Sequence, residues 1–279
     1  MTELIDGTLY QAARLLSPCV VGIGKTAFGR EIPCAFLGES GPRILVVAGH
    51  HAREHLSSFA LFGSLRKKPP ARCRVAAVLS ANPDGAALCL RGLGSAPENR
   101  RDFLREIVGE SDFALWKANG RGVDLNVNFP AGFGTGKGNR FAPAPQGYVG
   151  AYPFSEPENL ALLWLIRVFR PQAILTLHTK GEVIYWRFGQ RGARLARDRR
   201  IAKCIAAHTG FSLAEARASA GGLKDFAVQY LGIPAFTLEL GRDECLHPLS
   251  YGWAEEMAEQ LAGLPDRVAE ELVKIGGIE

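Results

Sequence analysis

The stretch Ile44-Leu45-Val46-Val47-Ala48-Gly49-His50-His51-Ala52-Arg53-Glu54-His55 changes character abruptly at Gly49. Its first five residues are apolar and rich in β-branched side chains, which reads as a strand covered on both faces. A glycine follows, then a histidine-rich turn leading into an amphipathic stretch. A buried strand that ends on ionisable residues and runs into a helix is the repeating unit of an α/β domain.

The same alternation continues outward. Strands are predicted over Ile44–Ala48, Val75–Leu79, Ala173–Leu177, Val183–Trp186 and Ala235–Leu240. Helices are predicted over Glu54–Arg66, Pro157–Phe169, Arg194–His208, Gly222–Tyr230 and Trp253–Leu261. Ser155 with Glu158 reads as a capping box opening the second of these helices. The pattern predicts an α/β fold, a three-layer α/β/α sandwich around a mixed, mostly parallel central sheet, as one domain over residues 1–279. The segment Gly132–Tyr152 is rich in glycine, proline and aromatics with little period, so it reads as a binding-site wall or as a plain surface excursion.

Composition narrows the class. The chain has 279 residues, 47% of them hydrophobic and 22% charged, which suits a globular domain and not a disordered one. No stretch approaches the roughly 20 apolar residues of a membrane span. Met1–Gln11 carries Glu3 and Asp6 and no basic region ahead of an apolar core, so a cytoplasmic location is expected. Six scattered cysteines without a C-x-x-C pair are expected to be reduced and mostly buried. The formal charge of +5 favours acidic partners slightly and does not argue for nucleic acid. The run Arg187, Arg191, Arg194, Arg197, Arg199, Arg200 and Lys203 reads as a solvated helix face, with a docking surface for an acidic glycan or nucleic acid as the alternative.

Four positions carry chemistry. Zinc needs imidazole or carboxylate donors converging at about 2 Å. His51 and Glu54, three apart at a strand exit, can aim at one point. The same letters also fit H-x-x-E-H, with His51 and His55 as ligands and Glu54 as base, or simply a polar turn. His178 follows the strand Ala173–Leu177, and Glu239 sits near the end of Ala235–Leu240. Side chains at the carboxyl ends of such strands line the ligand crevice. A hydrogen-bonded core histidine and a structural salt bridge are the alternatives for these two residues.

Taken in order, these signals resemble the zinc carboxypeptidase (funnelin-type metallopeptidase) family from about Val20 to Gly241. Ile23–Arg30 looks like the family's opening strand and turn. Gly49-His50-His51-Ala52-Arg53-Glu54 matches G-x-H-x-R-E. Asn82-Pro83-Asp84-Gly85 matches its N-P-D-G turn, and Gly122-Val123-Asp124-Leu125-Asn126 its G-V-D-x-N segment. Ser155-Glu156-Pro157-Glu158 matches its S-E-P-E helix start, and Phe236–Gly241 the segment carrying the catalytic glutamate.

The resemblance implies one zinc ion held by His51, Glu54 and His178, with Glu239 as the proton-transferring base. It implies an oxyanion-stabilising cation at Lys117, aligned on Trp116, with Arg121 as a second candidate. The family grips a terminal carboxylate with an Asn-Arg pair. Here Asn126 is kept, but Val127 stands in the arginine's place and cannot make a bidentate contact.

That departure resembles a bacterial branch cleaving γ-D-glutamyl–diaminopimelate bonds in peptidoglycan peptides. An acidic, muropeptide-like substrate is therefore the implied partner, with Asn126, Lys224, Arg217 and Arg140 as candidate contacts. A helix-surface lysine paired with a nearby acid is the other reading of Lys224. The rival functions are a carboxypeptidase or deglutamylase acting on acidic C-terminal residues, and a non-catalytic zinc module that binds wall peptides.

Overall fold

The protein's structure is a computed structural model describing residues 8–109, 111–215 and 220–276. Within these, strands β1 (Val20–Lys25), β2 (Glu31–Leu37), β3 (Arg43–Ala48), β4 (Arg74–Val78), β5 (Ala173–Thr179), β6 (Val183–Tyr185), β7 (Ser212–Ala214) and β8 (Ala235–Leu240) form one sheet. Their order is β1-β2-β4-β3-β5-β8-β6-β7. The central run β4-β3-β5-β8 is parallel. Antiparallel pairings join β1 to β2, β2 to β4 and β6 to β8.

Alternate residues of β3 feed two cores. Ile44, Val46 and Ala48 point into one and Leu45 and Val47 into the other. The first core is closed by α1 (Thr8–Leu16), α2 (Leu56–Lys67), α6 (Gly192–Thr209), α8 (Ala254–Leu261) and α9 (Leu264–Gly276). The second is closed by α5 (Pro157–Phe169) and the short α7 (Leu223–Phe226). Helices cover both faces of a mixed sheet whose centre is parallel, so the expected three-layer architecture is present. A third cluster joins Leu88 of α3 (Pro83–Arg91) and Leu104 of α4 (Glu98–Val108) to Phe113, Trp116 and Ala52. It packs against the turn that follows β3.

The five predicted strands appear within one or two residues. Strands β1, β2 and β7 lie outside the predicted set, for local reasons. β1 contains two glycines, β7 has three residues, and β2 carries Pro33, which cannot donate to a ladder. The sheet tolerates Pro33 because it pairs with Gly22, where the β1 register shifts.

Two helix expectations are corrected. The predicted helix over Gly222–Tyr230 is α7 followed by a π-helical turn at Ala227–Leu231. The capping box at Ser155 is not formed: the N-cap of α5 is Glu156, with Pro157 at N1. The Ser155 hydroxyl is occupied elsewhere, accepting from Asn128 Nδ2 and donating to Glu156. Glu158 turns inward instead of back to the cap, accepting from the Ala27 amide and Asn119 Nδ2.

Among the described residues, no helix is long and apolar enough to cross a membrane. The six cysteines are unpaired, but only Cys34 and Cys73 are fully buried and Cys19 is exposed. Three members of the basic run have acidic partners: Arg187 pairs with Glu215, Arg197 with Asp198 and Arg200 with Glu271.

Glu158 is fully buried, and that burial, with Asp84 and Glu156 close by, pushes its carboxyl up to about 8. The folded state therefore holds a proton that the unfolded chain releases in the ordinary carboxylate range. Stability from this group falls as pH rises from about 5 towards 8. Glu158→Gln should flatten that decline in melting temperature while keeping the amide contacts. A variant with the same pH slope as the parent would remove Glu158 as its source.

Candidate metal centre

The turn after β3 is built on a glycine for a steric reason. Gly49 has φ +65, and a Cβ there would lie 3.0 Å from Ser58 Oγ and 3.1 Å from Ser80 Cα. The Ser57 hydroxyl accepts from the Gly49 amide and donates to the Glu54 carbonyl, closing the turn on itself. His51 is extended, Ala52–Glu54 form one 3₁₀ turn, and α2 begins only at Leu56.

Asn82 braces this turn from behind. Its Oδ1 caps α3 by accepting from Gly85 N, and its Nδ2 donates to the carbonyls of His50 and Ala118. A Cβ on Gly85 would come within 2.4 Å of the Ala118 carbonyl oxygen, so the close approach needs glycine. Backbone bonds from Ala52 N to Lys117 O and from Arg53 N to Trp116 O lash the Lys117 segment to the same turn.

Parallel pairing of β5 and β8 sets His178 opposite Glu239. Thr176 and Thr237, one pleat earlier, share a hydroxyl hydrogen bond of 2.9 Å on that face. His178 Nδ1 lies 3.0 Å from His51 Nδ1 and 2.9 Å from Glu54 Oε2, and His51 Nδ1 lies 2.9 Å from Glu54 Oε1. All three side chains are buried. The Thr179 amide donates to Glu54 Oε2 and fixes that carboxylate.

Asp124 holds the far side of His51. Its Oδ1 sits 3.2 Å from His51 Nε2 and accepts from the Asn126 amide. Its Oδ2 accepts from Gly147 N and lies 3.6 Å from Lys117 Nζ. Burial opposes its charge, but Lys117 and His51 hold the carboxyl far below the usual range. With Nε2 directed at a carboxylate, His51 presents Nδ1 as a lone-pair donor.

Electrostatics at the cluster follow from the crowding. Burial would lower His51, and the Glu54 charge outweighs it to raise the group. Burial and the neighbouring His51 lower His178. Burial works against the Glu54 charge, yet the two histidines keep its carboxyl well below normal. Burial and then Glu54 push Glu239 up to about 8. No hydrogen bond or ion pair with the described residues engages the Glu239 carboxylate.

The donor set fits zinc. Two imidazole nitrogens and a carboxylate converge from a turn and an adjacent strand, and one imidazole is oriented by Asp124 from behind. His55 stays outside this cluster, its Nδ1 at 3.3 Å from the Ala52 carbonyl and its ring against Tyr251, so the H-x-x-E-H arrangement is not what the fold builds. His50 is buried and stacks on His178, and among the described residues neither ring nitrogen has a hydrogen-bond partner.

The remaining candidates scatter more widely. Lys117 reaches the site through Asp124, whereas Arg121 is half exposed and points to Glu156 at 4.0 Å. Asn126 accepts from the Leu223 amide, tying its loop to the start of α7. Lys224 is buried, paired with Asp225, and stands 5.3 Å over the Phe188 ring. Arg217 lies outside the described residues.

Arg140 lines a cleft of about 540 Å³ with Lys117, Asp124, Val127, Lys137 and Gln146. The Gly132–Tyr152 segment thus supplies one wall of the space that opens onto Asp124. Sequence reasoning assigned no role to Asp124 or Lys137. An aspartate between the apolar Val123 and Leu125 was the available signal for the first; nothing distinguished Lys137 among glycines.

A family model for zinc carboxypeptidases matches residues 17–258. Gamma-D-glutamyl-L-diamino acid endopeptidase 1 of Lysinibacillus sphaericus is 27% identical over 246 residues, 82% of this chain and 62% of that protein. Murein peptide amidase A of Escherichia coli strain K12 is 33% identical over 179 residues, 62% of this chain and 59% of that one. The chain thus spans less than two thirds of the length of these relatives. Among solved structures, bovine thrombin-activatable fibrinolysis inhibitor superposes with a TM-score of 0.75 at 18% identity, over 95% of this chain and 96% of that one. Murein-tripeptide amidase MpaA from Escherichia coli O157 does so at 0.60 and 24%, over 90% and 92%. The structural likeness speaks to the fold, and the family match covers the turn, strands and loop that build the site; the chain belongs to the zinc carboxypeptidase family.

Proposed function

We propose that this protein is a metallopeptidase that carries one zinc ion per chain on His51, Glu54 and His178 and hydrolyses acidic, muropeptide-like substrates at a γ-D-glutamyl–diaminopimelate bond. The observation that carries the catalytic reading is the unpartnered Glu239 carboxylate, held by strand register beside His178. Zinc bound there would supply Lewis acidity, polarising a carbonyl and acidifying water.

The chain's own residues divide the remaining work. Glu239, with its proton affinity raised by burial and by Glu54, is suited to take a proton from water and deliver it to the leaving amine. Lys117 stays cationic: burial opposes its charge, but Asp124, Glu54 and Glu239 raise it. It is placed to stabilise negative charge developing on the scissile carbonyl.

Substrate preference follows from the cleft. Val127 lines it where a carboxylate-binding arginine would make a fork, so an ordinary terminal carboxylate lacks its grip. Lys137 and Arg140 add two cations to Lys117 on the same walls, which favours a ligand bearing several carboxylates. Lys224 already has Asp225 as its partner, so the cleft cations carry more of this reading than Lys224 does. One bacterial relative is named for a gamma-D-glutamyl-L-diamino acid bond and the other for murein peptides, which supports this substrate class. Unpaired cysteines suit the reducing cytoplasm as the proposed location.

Metal analysis of the purified protein should return one zinc per chain, and chelation should lower the melting temperature. His178→Ala should bind far less zinc; unchanged zinc content would dissociate His178 from the metal. Glu239→Gln should keep its zinc and lose about 10²–10⁴ in kcat on a γ-D-glutamyl–diaminopimelate peptide. Retained turnover would exclude Glu239 as the base and leave the binding-module alternative without support. Lys137→Gln with Arg140→Gln should raise KM for that peptide with little change in kcat. If instead ordinary acidic C-termini are trimmed and the γ-linked peptide is left intact, the carboxypeptidase or deglutamylase reading replaces this one.

A further inference from the structure

At the opposite end of the sheet, three arginines line one cavity. Arg43 opens β3 and Arg74 opens β4, and parallel pairing sets the two directly side by side. Arg170 caps the C-terminus of α5 in the left-handed conformation. These arginines, with Val168 and Phe169, line a cavity of about 410 Å³. The cavity lies at the amino end of β3, whereas the metal cluster follows its carboxyl end.

Like charges directly opposite in a sheet are destabilising unless something neutralises them. Nothing in the described protein does so. No acidic side chain forms an ion pair with Arg43, Arg74 or Arg170 among the described residues. Arg74 Nε is shut off from solvent and meets no hydrogen-bond acceptor among the described residues. Arg43 is held in place, because its Nε donates to the Arg170 carbonyl at 2.7 Å and its amide donates to Gln172 Oε1. That anchoring leaves its two terminal nitrogens for another acceptor.

We infer that Arg43, Arg74 and Arg170 form a second binding site, for a phosphate-type oxyanion, at the end of the sheet remote from the metal. A dianion with several acceptor oxygens answers three cations lining one cavity better than a single carboxylate does, and guanidinium forks match its geometry. The volume accommodates more than the bare ion, so the phosphate belongs to a soluble ester or to a lipid headgroup. Both sources present the same chemistry to the arginines.

The test uses zinc-loaded protein and inorganic phosphate, with chloride at matched ionic strength as control, read by calorimetry and melting temperature. Phosphate should bind saturably and raise the melting temperature. Arg43→Gln, Arg74→Gln and Arg170→Gln should each weaken that binding about tenfold or more while peptide hydrolysis is unchanged. Without phosphate, Arg74→Gln should melt no lower than the parent, because a like-charge contact is removed. Arg170 is exposed, so its variant keeps the test valid if a strand variant folds poorly.

A second arm separates the sources by co-sedimentation with vesicles of phosphatidic acid, a phosphomonoester, or of phosphatidylcholine. Retention on phosphatidic acid alone, lost in the variants, assigns a lipid headgroup. Binding of soluble phosphate without vesicle retention assigns a soluble ester. Phosphate binding that is undiminished in all three variants places the ion at the metal centre and overturns the inference. Failure to bind either phosphate or vesicles overturns it too.

Discussion

A carboxylate sealed from solvent keeps its charge only when cations and amides surround it at once, and Asp124 depends on four separate pieces of chain for that. His51 comes from the turn after β3, Lys117 from the segment packed on α3, Asn126 from its own 3₁₀ turn and Gly147 from the long loop. Removing any one leaves a buried charge short of a partner, at a cost of several kcal/mol in the worst case. The contact therefore does more than orient one imidazole. It requires turn, loop and Lys117 segment to arrive together, and so links formation of the metal cluster to closure of the cleft.

Strand polarity explains why the chemistry collects where it does. Parallel strands β3, β5 and β8 end at the same edge, and the residues at or just past those ends lie outside the two apolar cores that cover the strands themselves. His51, Glu54, His178 and Glu239 all sit at that edge. The amino ends of β3 and of its parallel neighbour β4 carry Arg43 and Arg74. Charged groups are thus pushed to the two rims of the sheet, and each rim creates its own electrostatic demand: donors awaiting a cation at one, cations awaiting an anion at the other.

Metal chemistry and substrate choice rest on different kinds of structure. The proposed zinc ligands and Glu239 are held by sheet register, a glycine turn and the Asn82 brace, where small displacements would be resisted by packing on both sides. Two cations of the cleft, Lys137 and Arg140, belong to the Gly132–Tyr152 loop, which is tied down through Asp124 to Gly147 and through Asn128 to the carbonyls of Val149 and Tyr152. Centre and wall are thus held by separate sets of contacts, with Val127 lining the cleft between them.

By itself the sequence determined the layer architecture, the five principal strands and the positions at which ionisable residues follow apolar runs, because apolar periodicity and strand ends are local properties. It also carried the ordered motifs that mark the family. Tertiary structure alone decided the rest. Ser155 could not cap α5 once Asn128 and Glu156 claimed its hydroxyl, and Glu158 went inward to Ala27 and Asn119. Lys117 was separated from Arg121 by the reach of each side chain to Asp124 or Glu156, and His55 was left out by the turn that begins α2 one residue too late. Asp124, Lys137 and the three arginines at the far rim acquire meaning only when chain segments distant in sequence share a cavity or a charge. Long-range electrostatics depends on that proximity, and no local pattern encodes it.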